Sequence, residues 1–301
     1  MFRVFLEVIL PVLAIASLGG IVGQRVGLPV KPLSALVFNV FSPALIFHNL
    51  STINLAAGTA FRLVAVVLAV FIVLTVASLV LSKALHHDRQ TTAAITLCAA
   101  VANSGNMGLP MAQLAFGDEV FRFALVTFVV TSLLTFSAGI VIASMAGHAS
   151  IRRSLAAPIK VPALWAAAAG LAVHLSGWTL PKSVDSVAST LGAASIPLML
   201  VVLGLQVISS TDRRLVGSDM TIAVVLRLIG GPVVAWGATA LIGMDGVPQR
   251  TLILIAGMPT AVMASVIAMG YDAKPALVSR VVVSSTLASI ASLTVLLSLL
   301  T

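Results

Sequence analysis

The sequence predicts an all-α membrane protein with ten transmembrane helices. Apolar residues make up 59% of the 301 residues and charged residues only 9%, and the mean hydropathy is +1.15, whereas soluble domains carry far more charge. Apolar segments of about 20 residues, long enough to cross the hydrocarbon core of a bilayer, recur along nearly the whole chain. The sequence lacks alternating segments of about ten residues, which argues against a membrane barrel.

The first five spans are predicted where long apolar runs are separated by short loops. They cover 4–23, 32–51, 61–84, 91–116 and 119–146. The segment 4–23 also has features of a signal peptide, because Arg3 precedes an apolar run that contains the small residues Ala14 and Ala16. We interpret it as a span, since its removal would leave nine spans and destroy the symmetry of the two halves.

The second five spans are predicted at 160–177, 185–209, 219–242, 250–271 and 275–300. We expect one repeat at 1–147, a cytoplasmic linker at 148–158 and a second repeat at 159–301. Because each half holds an odd number of spans, a duplicated half must enter the membrane from the opposite side, which predicts inverted repeats. Prolines support this symmetry: Pro43 and Pro197 lie in the second span of each half, and Pro110 and Pro259 lie in the fourth.

The basic residues predict the orientation of the chain. One face carries ten of them in its loops (Arg25, Lys31, Lys83, Arg89, Arg152, Arg153, Lys160, Arg213, Arg214 and Lys274) and the other carries five (Arg3, Arg62, Arg122, Lys182 and Arg250). By the positive-inside rule the first face is cytoplasmic and both termini lie outside, as expected for a multi-pass protein in the lipid bilayer of a bacterial inner membrane. The net charge of +8 is then a topological signal, and no nucleic-acid partner is expected.

A polar, helix-breaking run interrupts the fourth span at Asn103-Ser104-Gly105-Asn106-Met107-Gly108-Leu109-Pro110. Irregular backbone at membrane depth persists only where protein or a water-filled cavity covers it. We expect the half-helix after Pro110 to direct free N–H groups and its positive dipole end toward the gap, which suits an anion such as a carboxylate. The alternative is a kinked packing helix whose Asn side chains bond to neighbouring helices.

A second break in the matching ninth span, at Gly257-Met258-Pro259-Thr260, favours the binding-site interpretation. Two interrupted helices at corresponding positions are the best sequence indication of a transporter site. Thr260 and Met263 are candidates there, although packing explains them equally well. Arg227 and Arg280 lie inside spans and are candidate counter-charges for an anion. For Arg280 we favour snorkelling to the cytoplasmic face, and for Arg227 both interpretations stay open.

Single polar residues in other spans are further candidates for the same cavity: Asn39, Ser42 and His48 in the second span and Gln206 in the seventh. Single polar side chains in membrane spans often only link neighbouring helices, which is the alternative for each of these residues. All nine acidic residues lie in loops or near helix ends, so proton or sodium coupling is not indicated, although carbonyl and Asn oxygens can still bind sodium. An anion leaving a negative-inside cell gains about 2.3 kcal/mol per charge per 100 mV, which permits efflux without a coupling ion.

Enzymatic chemistry is not expected from this sequence. It contains neither paired mid-span Asp residues nor a Gly-x-Ser-x-Gly or His-Glu-x-x-His motif. Cys98 is the only cysteine, and the adjacent His86 and His87 do not share a helix face. We therefore predict no cofactor, no metal site and a packing role for Cys98.

The broken run, continuing to Phe116-Gly117, resembles the fourth-span signature of the auxin efflux carrier family, which includes plant PIN-type auxin carriers and bacterial organic-acid permeases. Three further runs match in order and spacing: Pro43-Ala44-Leu45-Ile46-Phe47, Pro197-Leu198 through Gly204, and Met258-Pro259 through Tyr271. The resemblance covers nearly the whole chain. It implies a homodimer, a scaffold of spans one, two, six and seven, and a moving transport unit of spans three to five and eight to ten.

The resemblance also implies a substrate site where the two broken helices cross at Pro110 and Pro259, exposed alternately by an elevator movement. The complete set of predicted substrate-binding residues is Asn103, Ser104, Asn106, Met107, Pro110, Met111, Gln113, Pro259, Thr260, Met263, Asn39, Ser42 and Arg227. Two departures from the plant carriers, Met111 in place of an Asn after the crossover proline and the short linker, favour a small carboxylate such as a dicarboxylic acid over auxin.

Three function classes remain open at this point. The first is a carrier of small organic anions, with efflux expected. The second is a sodium- or proton-coupled symporter of the bile-acid-carrier type, which shares inverted repeats and crossed helices. The third is a membrane receptor or scaffold that transports nothing.

Overall fold

A computed structural model describes residues 3, 5–53, 55–147, 161–208 and 217–300. Regular secondary structure in these ranges is entirely helical, apart from one isolated antiparallel bridge between Ala102 and Thr260. The predicted linker 148–158 lies outside the described residues, as do single end residues of the predicted first, sixth and seventh spans (4, 160 and 209).

The helices are numbered α1 to α12 in chain order through the described ranges. They are α1 (Phe5–Val26), α2 (Val30–Ser51), α3 (Ala57–Ala84), α4 (Arg89–Ala100), α5 (Leu109–Phe116), α6 (Asp118–Leu134, continued by Thr135–Gly139 and Ile140–Ser144), α7 (Pro162–Ser176), α8 (Lys182–Ile208), α9 (Ser218–Leu241), α10 (Gly246–Ala256), α11 (Val262–Tyr271) and α12 (Pro275–Leu300). Seven of these described helices (α1, α2, α3, α6, α8, α9 and α12) are long and apolar enough to cross a membrane. The predicted class of multi-pass all-α membrane protein is therefore confirmed, while the count of ten spans and the inverted repeats stay predictions.

Wide π-helical turns occur next to prolines in several helices. Four described π turns each end two residues before a proline: Phe5–Ile9 before Pro11, Val37–Phe41 before Pro43, Ser104–Gly108 before Pro110 and Leu226–Gly230 before Pro232. A proline inside a helix lacks an N–H group, and its ring clashes with the carbonyl four residues earlier. Adding one residue to the turn relieves this clash and keeps the helix going. Pro197 in α8 is tolerated without such a turn.

Close packing of small residues joins α1, α2, α7 and α8. A Cβ atom on Gly204 of α8 would overlap the carbonyl oxygen of Ala16 in α1, and one on Gly170 of α7 would lie 2.8 Å from the carbonyl oxygen of Phe47 in α2. Glycine therefore permits backbone-to-backbone contact, which is how helices associate tightly where water supplies no hydrophobic driving force. These four helices form one packed group.

The remaining helices pack around the two broken ones. Helix α3 contacts α4, α6 and α9, helix α10 contacts α6 and α9, and α11 contacts α12. Buried threonines on α6 donate to carbonyls four residues earlier on the same helix, as Thr131 does to Thr127 at 2.7 Å, so they leave no unsatisfied hydroxyl in the apolar interior. The π turn Ser104–Gly108 lies against α8 and connects this second group to the first.

Candidate functional site

The two broken helices meet in a short antiparallel pairing of extended backbone. Helix α4 ends at Ala100 and helix α10 at Ala256. Between the breaks, the Asn103 N–H donates to the Pro259 carbonyl at 2.7 Å, and the Ala261 N–H donates to the Val101 carbonyl at 3.0 Å. Each break therefore satisfies backbone groups of the other, as non-helical backbone at membrane depth requires.

The first break lies earlier in the chain than predicted. The extended residues are Val101 to Asn103, and the π turn from Ser104 leads directly into α5, where Pro110 occupies the first turn. Pro110 is buried in α5 and lies after the extended residues that form the crossing. A proline is tolerated at a helix start and here follows a widened turn, so it does not mark the break itself.

The second break is held by hydrogen bonds from Thr260. Its Oγ1 donates to the Cys98 carbonyl at 2.9 Å, and its backbone N–H donates to Ser285 Oγ on α12 at 3.1 Å. Thr260 is completely buried. Its hydroxyl therefore stabilises the crossing instead of facing a ligand.

A cavity of about 720 Å³ lies directly next to the crossing and is lined by residues of both breaks. Its lining includes five of the predicted substrate residues: Asn39, Asn103, Ser104, Asn106 and Met263. Both second half-helices begin at this cavity, one at Ser104 and the other at Val262. The first N–H groups of a helix have no intrahelical acceptor, so those of Asn106 and Met263 are available at the cavity wall. We call this the open side of the crossing, defined by Asn103, Asn106, Val262 and Met263.

Eight predicted substrate residues do not line the cavity: Ser42, Met107, Pro110, Met111, Gln113, Pro259, Thr260 and Arg227. Of the other polar candidates, Gln206 lines it, whereas His48 contacts Asp185, with Nδ1 and Oδ1 2.9 Å apart. Ser42, Met107 and Met111 are buried, and the two methionines belong to the apolar core. These three side chains therefore contribute to packing and not to the cavity wall.

Most of the cavity wall is apolar. Phe38, Phe128 and Phe136 contribute aromatic surface, and Lys31 is the one charged residue among the described residues of the lining. The buried side chain of Asn103 adds an Nδ2 group that has no hydrogen-bond partner within the described structure. An unpaired buried amide is costly, and a bound acceptor would relieve that cost.

Arg227 occupies the other side of the crossing. Its side chain is 1% exposed, and its guanidinium donates to the carbonyls of Ala99 at 2.8 Å and Ala100 at 3.4 Å, and to that of Ala256. These carbonyls are the C-terminal ends of α4 and α10. Arg227 therefore neither faces the cavity nor snorkels to a membrane face, so the structure fits neither of the two interpretations left open from the sequence. We call this the closed side, defined by Ala99, Ala100, Ala256 and Arg227.

Several lining residues were missed by sequence reasoning. Lys31 was assigned only to the orientation signal, although it is exposed in the first turn of α2 and lines the cavity. Ser132 and Thr135 of α6 also line the cavity. Ser and Thr hydroxyl groups in a helix commonly donate to carbonyls of the same helix. The sequence of this unbroken apolar span therefore gave no reason to place them in a binding site.

One ion pair outside the membrane-spanning segments connects the loops of the two broken helices. Asp88, before α4, accepts from Lys274 Nζ at 2.8 Å and from the Thr91 N–H at 2.7 Å, and Lys274 lies between α11 and α12. The hydrogen bond from Lys274, followed by those from Thr91, holds the pKa of the Asp88 carboxyl well below its usual range. Among the described residues, no cluster of three potential metal ligands occurs.

Comparison with known proteins agrees with this architecture. The model of the family described as membrane transport protein matches residues 4–154 and 144–297. An uncharacterized transporter from Methanothermobacter thermautotrophicus is 30% identical over 296 residues, a match that covers 95% of each chain.

These matches extend over nearly all of the chain, including both breaks and the helices around them. Together with the apolar helices, they identify a membrane transporter. The chain belongs to the membrane transport protein family, that of the auxin efflux carriers.

Proposed function

We propose that this transporter carries organic anions that combine one carboxylate with an apolar body. The observation that carries the proposal is the open side of the crossing, where two half-helix N-termini and the unpaired amide of Asn103 converge on one cavity. Each helix N-terminus bears roughly half a positive charge. A carboxylate bound there would accept from backbone N–H groups and from Asn103, in the way that anions bind helix N-termini.

The rest of the cavity supports the choice of an amphipathic anion. Its volume of about 720 Å³ falls in the range of pockets that enclose small organic ligands. Phe38, Phe128 and Phe136 would pack against a hydrocarbon or aromatic body, whose burial is favourable. The cavity would thus bind one anionic group of the substrate at the crossing and the apolar part of the substrate along its aromatic wall.

A dicarboxylate is the second candidate, and Lys31 favours it. This lysine lies at the mouth of the cavity and would pair with a second carboxylate. Replacing Lys31 with Gln is expected to weaken dicarboxylate binding about fivefold, roughly the 1 kcal/mol of a partly exposed ion pair, and to leave monocarboxylates unchanged. Binding titrations with matched mono- and dicarboxylates distinguish the two substrate classes.

Efflux is proposed from the position of the cavity mouth. Four lining residues lie near the loops that carry more basic residues: Lys31, Gln206, Met269 and Ser279. The positive-inside rule assigns these loops to the cytoplasm. The cavity would then load substrate from the cytoplasm. This orientation, with both termini outside a bacterial inner membrane, belongs to the same proposal.

The elevator mechanism is supported by the two packed groups of helices. The glycine-packed group of α1, α2, α7 and α8 would be the scaffold, and the group containing both breaks would move across the bilayer. Ten spans in two inverted repeats and a homodimer complete this proposal. No carboxylate lines the cavity within the described residues, which favours uncoupled transport over a sodium- or proton-coupled symporter.

Transport in proteoliposomes tests the proposed function. Liposomes containing the wild-type protein should exchange labelled aromatic or aliphatic monocarboxylates and not their uncharged amides. Replacing Asn103 with Ala should reduce exchange, whereas Asn49→Ala is the matched control, because Asn49 donates to the Leu45 carbonyl of its own helix and does not line the cavity. Binding without exchange would favour a receptor, and a requirement for a sodium or pH gradient would favour a symporter.

A further inference from the structure

The closed side of the crossing concentrates negative charge inside the protein. Helices α4 and α10 both end there, and each C-terminus carries roughly half a negative charge on its unpaired carbonyls. In interrupted transporter helices, such C-terminal ends and unwound carbonyls are the groups that coordinate a transported cation. A cation at this place therefore stabilises both helix ends.

Arg227 provides one positive charge at this position. It bridges both helix ends through the carbonyls of Ala99, Ala100 and Ala256. Within the described part of the chain, no carboxylate forms an ion pair with it. One full charge balances the two half charges of the helix ends. The neighbouring space is only about 30 Å³, enough for a water molecule and too small for an organic anion.

Two local features hold the guanidinium in this position. Arg227 lies in the π turn Leu226–Gly230, which precedes Pro232. A Cβ atom on Gly231 would overlap both the guanidinium and the Ala256 carbonyl oxygen. A widened turn and a glycine therefore place the cation against the helix ends.

We propose that Arg227 is a built-in cation that replaces a coupling ion at the C-terminal ends of the two broken helices. The carbonyls that would otherwise bind sodium are already occupied by the guanidinium. The protein therefore needs no external cation at the crossing. The statement that no coupling ion is needed rests on the proposed transport function. The statement that the guanidinium occupies the carbonyls does not depend on it.

Thermal unfolding of the purified, ligand-free protein tests this proposal. The wild-type Tm is expected to be the same in sodium chloride and in choline chloride at equal ionic strength. Replacing Arg227 with Ala should lower the Tm, and millimolar methylguanidinium should restore much of the loss, because it can occupy the vacated position. Arg280→Ala is the control, since Arg280 donates to the Ala276 carbonyl of its own helix, and its Tm should not respond to methylguanidinium.

Two results would overturn the proposal. One is a saturable rise of the wild-type Tm with sodium and not with choline, and the other is an Arg227→Ala variant that methylguanidinium does not restore. If Arg227→Ala does not fold, two further variants replace it. Arg227→Lys retains the positive charge and should fold, whereas Arg227→Met lacks the charge and should not fold. Equal folding of these two variants contradicts the proposal. Because every readout is ligand-free, failure to transport carboxylates would leave this test intact.

Discussion

The two sides of the helix crossing have opposite electrostatic states. On the closed side, the carbonyls of Ala99, Ala100 and Ala256 are neutralised by Arg227 within the protein. On the open side, the helix N-termini and the Asn103 amide face a cavity and have no described counter-charge. The same pair of breaks thus produces one site that contains its own cation and one site that contains no counter-charge among the described residues. The second site is where an external anion supplies what the protein lacks.

The largest expected effect comes from disturbing the closed side through Gly231. In Gly231→Ala the new methyl group overlaps the guanidinium and the Ala256 carbonyl, so we expect a loss of about 2–3 kcal/mol of stability, as for overpacked cores. Gly237→Ala on the same helix is the control, because no described residue lies within 4 Å of its Cβ position, and it should be neutral or slightly stabilising. Equal Tm values for the two variants would show that the closed side tolerates displacement of Arg227.

The open side is tested by Asn103→Ala. Because the Nδ2 group of Asn103 is buried without a described partner, its removal should leave the ligand-free Tm unchanged or higher. Anion affinity should fall about tenfold, which corresponds to about 1.4 kcal/mol for a hydrogen bond to a charged group. A titration combined with thermal unfolding measures both effects. Parallel losses of stability and affinity would indicate a structural role instead.

Thr260→Val separates the crossing from the cavity. The change removes the hydrogen bond to the Cys98 carbonyl at nearly constant volume, so we expect a loss of about 1 kcal/mol of stability. Affinity for anions should stay within a factor of two, because Thr260 does not line the cavity. Thr131→Val is the control, since Thr131 is buried and bonded only along its own helix. A large loss of affinity in Thr260→Val would place its hydroxyl in the binding site.

The smallest effect concerns the loops and depends on pH. The pKa of Asp88 is lowered in the folded protein, so its stabilising contribution is complete above the unfolded pKa of about 4 and is lost as the pH falls through the folded value. Its side chain is 62% exposed, which limits this contribution to under about 1 kcal/mol. The Tm of the wild type should therefore fall slightly more than that of Asp88→Asn below about pH 4. Superimposable pH profiles would show that the Asp88–Lys274 pair does not stabilise the folded protein.

The sequence predicted helix positions well because hydrophobic segments of membrane length leave few alternatives. The third span was expected at 61–84 and the tenth at 275–300, and the helices are Ala57–Ala84 and Pro275–Leu300. The first break was placed too late because Pro110 is the conspicuous breaker in the sequence, whereas the backbone absorbs it in a π turn. Proline position alone therefore does not locate a break.

The partners of single polar residues were harder to predict. Sequence indicates that a buried arginine needs acceptors, but only the fold shows that for Arg227 these are the ends of two distant helices. Asn103 was identified because it stands beside Gly and Pro in an apolar run. Lys31 was not identified as a lining residue, since a lysine at a helix start equally indicates orientation.

The most direct test of the open side compares a carboxylate with its own uncharged amide. Isothermal titration of the wild-type protein with an aromatic monocarboxylate and with the matching carboxamide keeps size and apolar surface constant and changes only the charge. We predict at least tenfold tighter binding of the carboxylate, equivalent to about 1.4 kcal/mol, and a smaller difference in Asn103→Ala. Equal affinities for the two compounds would contradict an anion site at the half-helix N-termini.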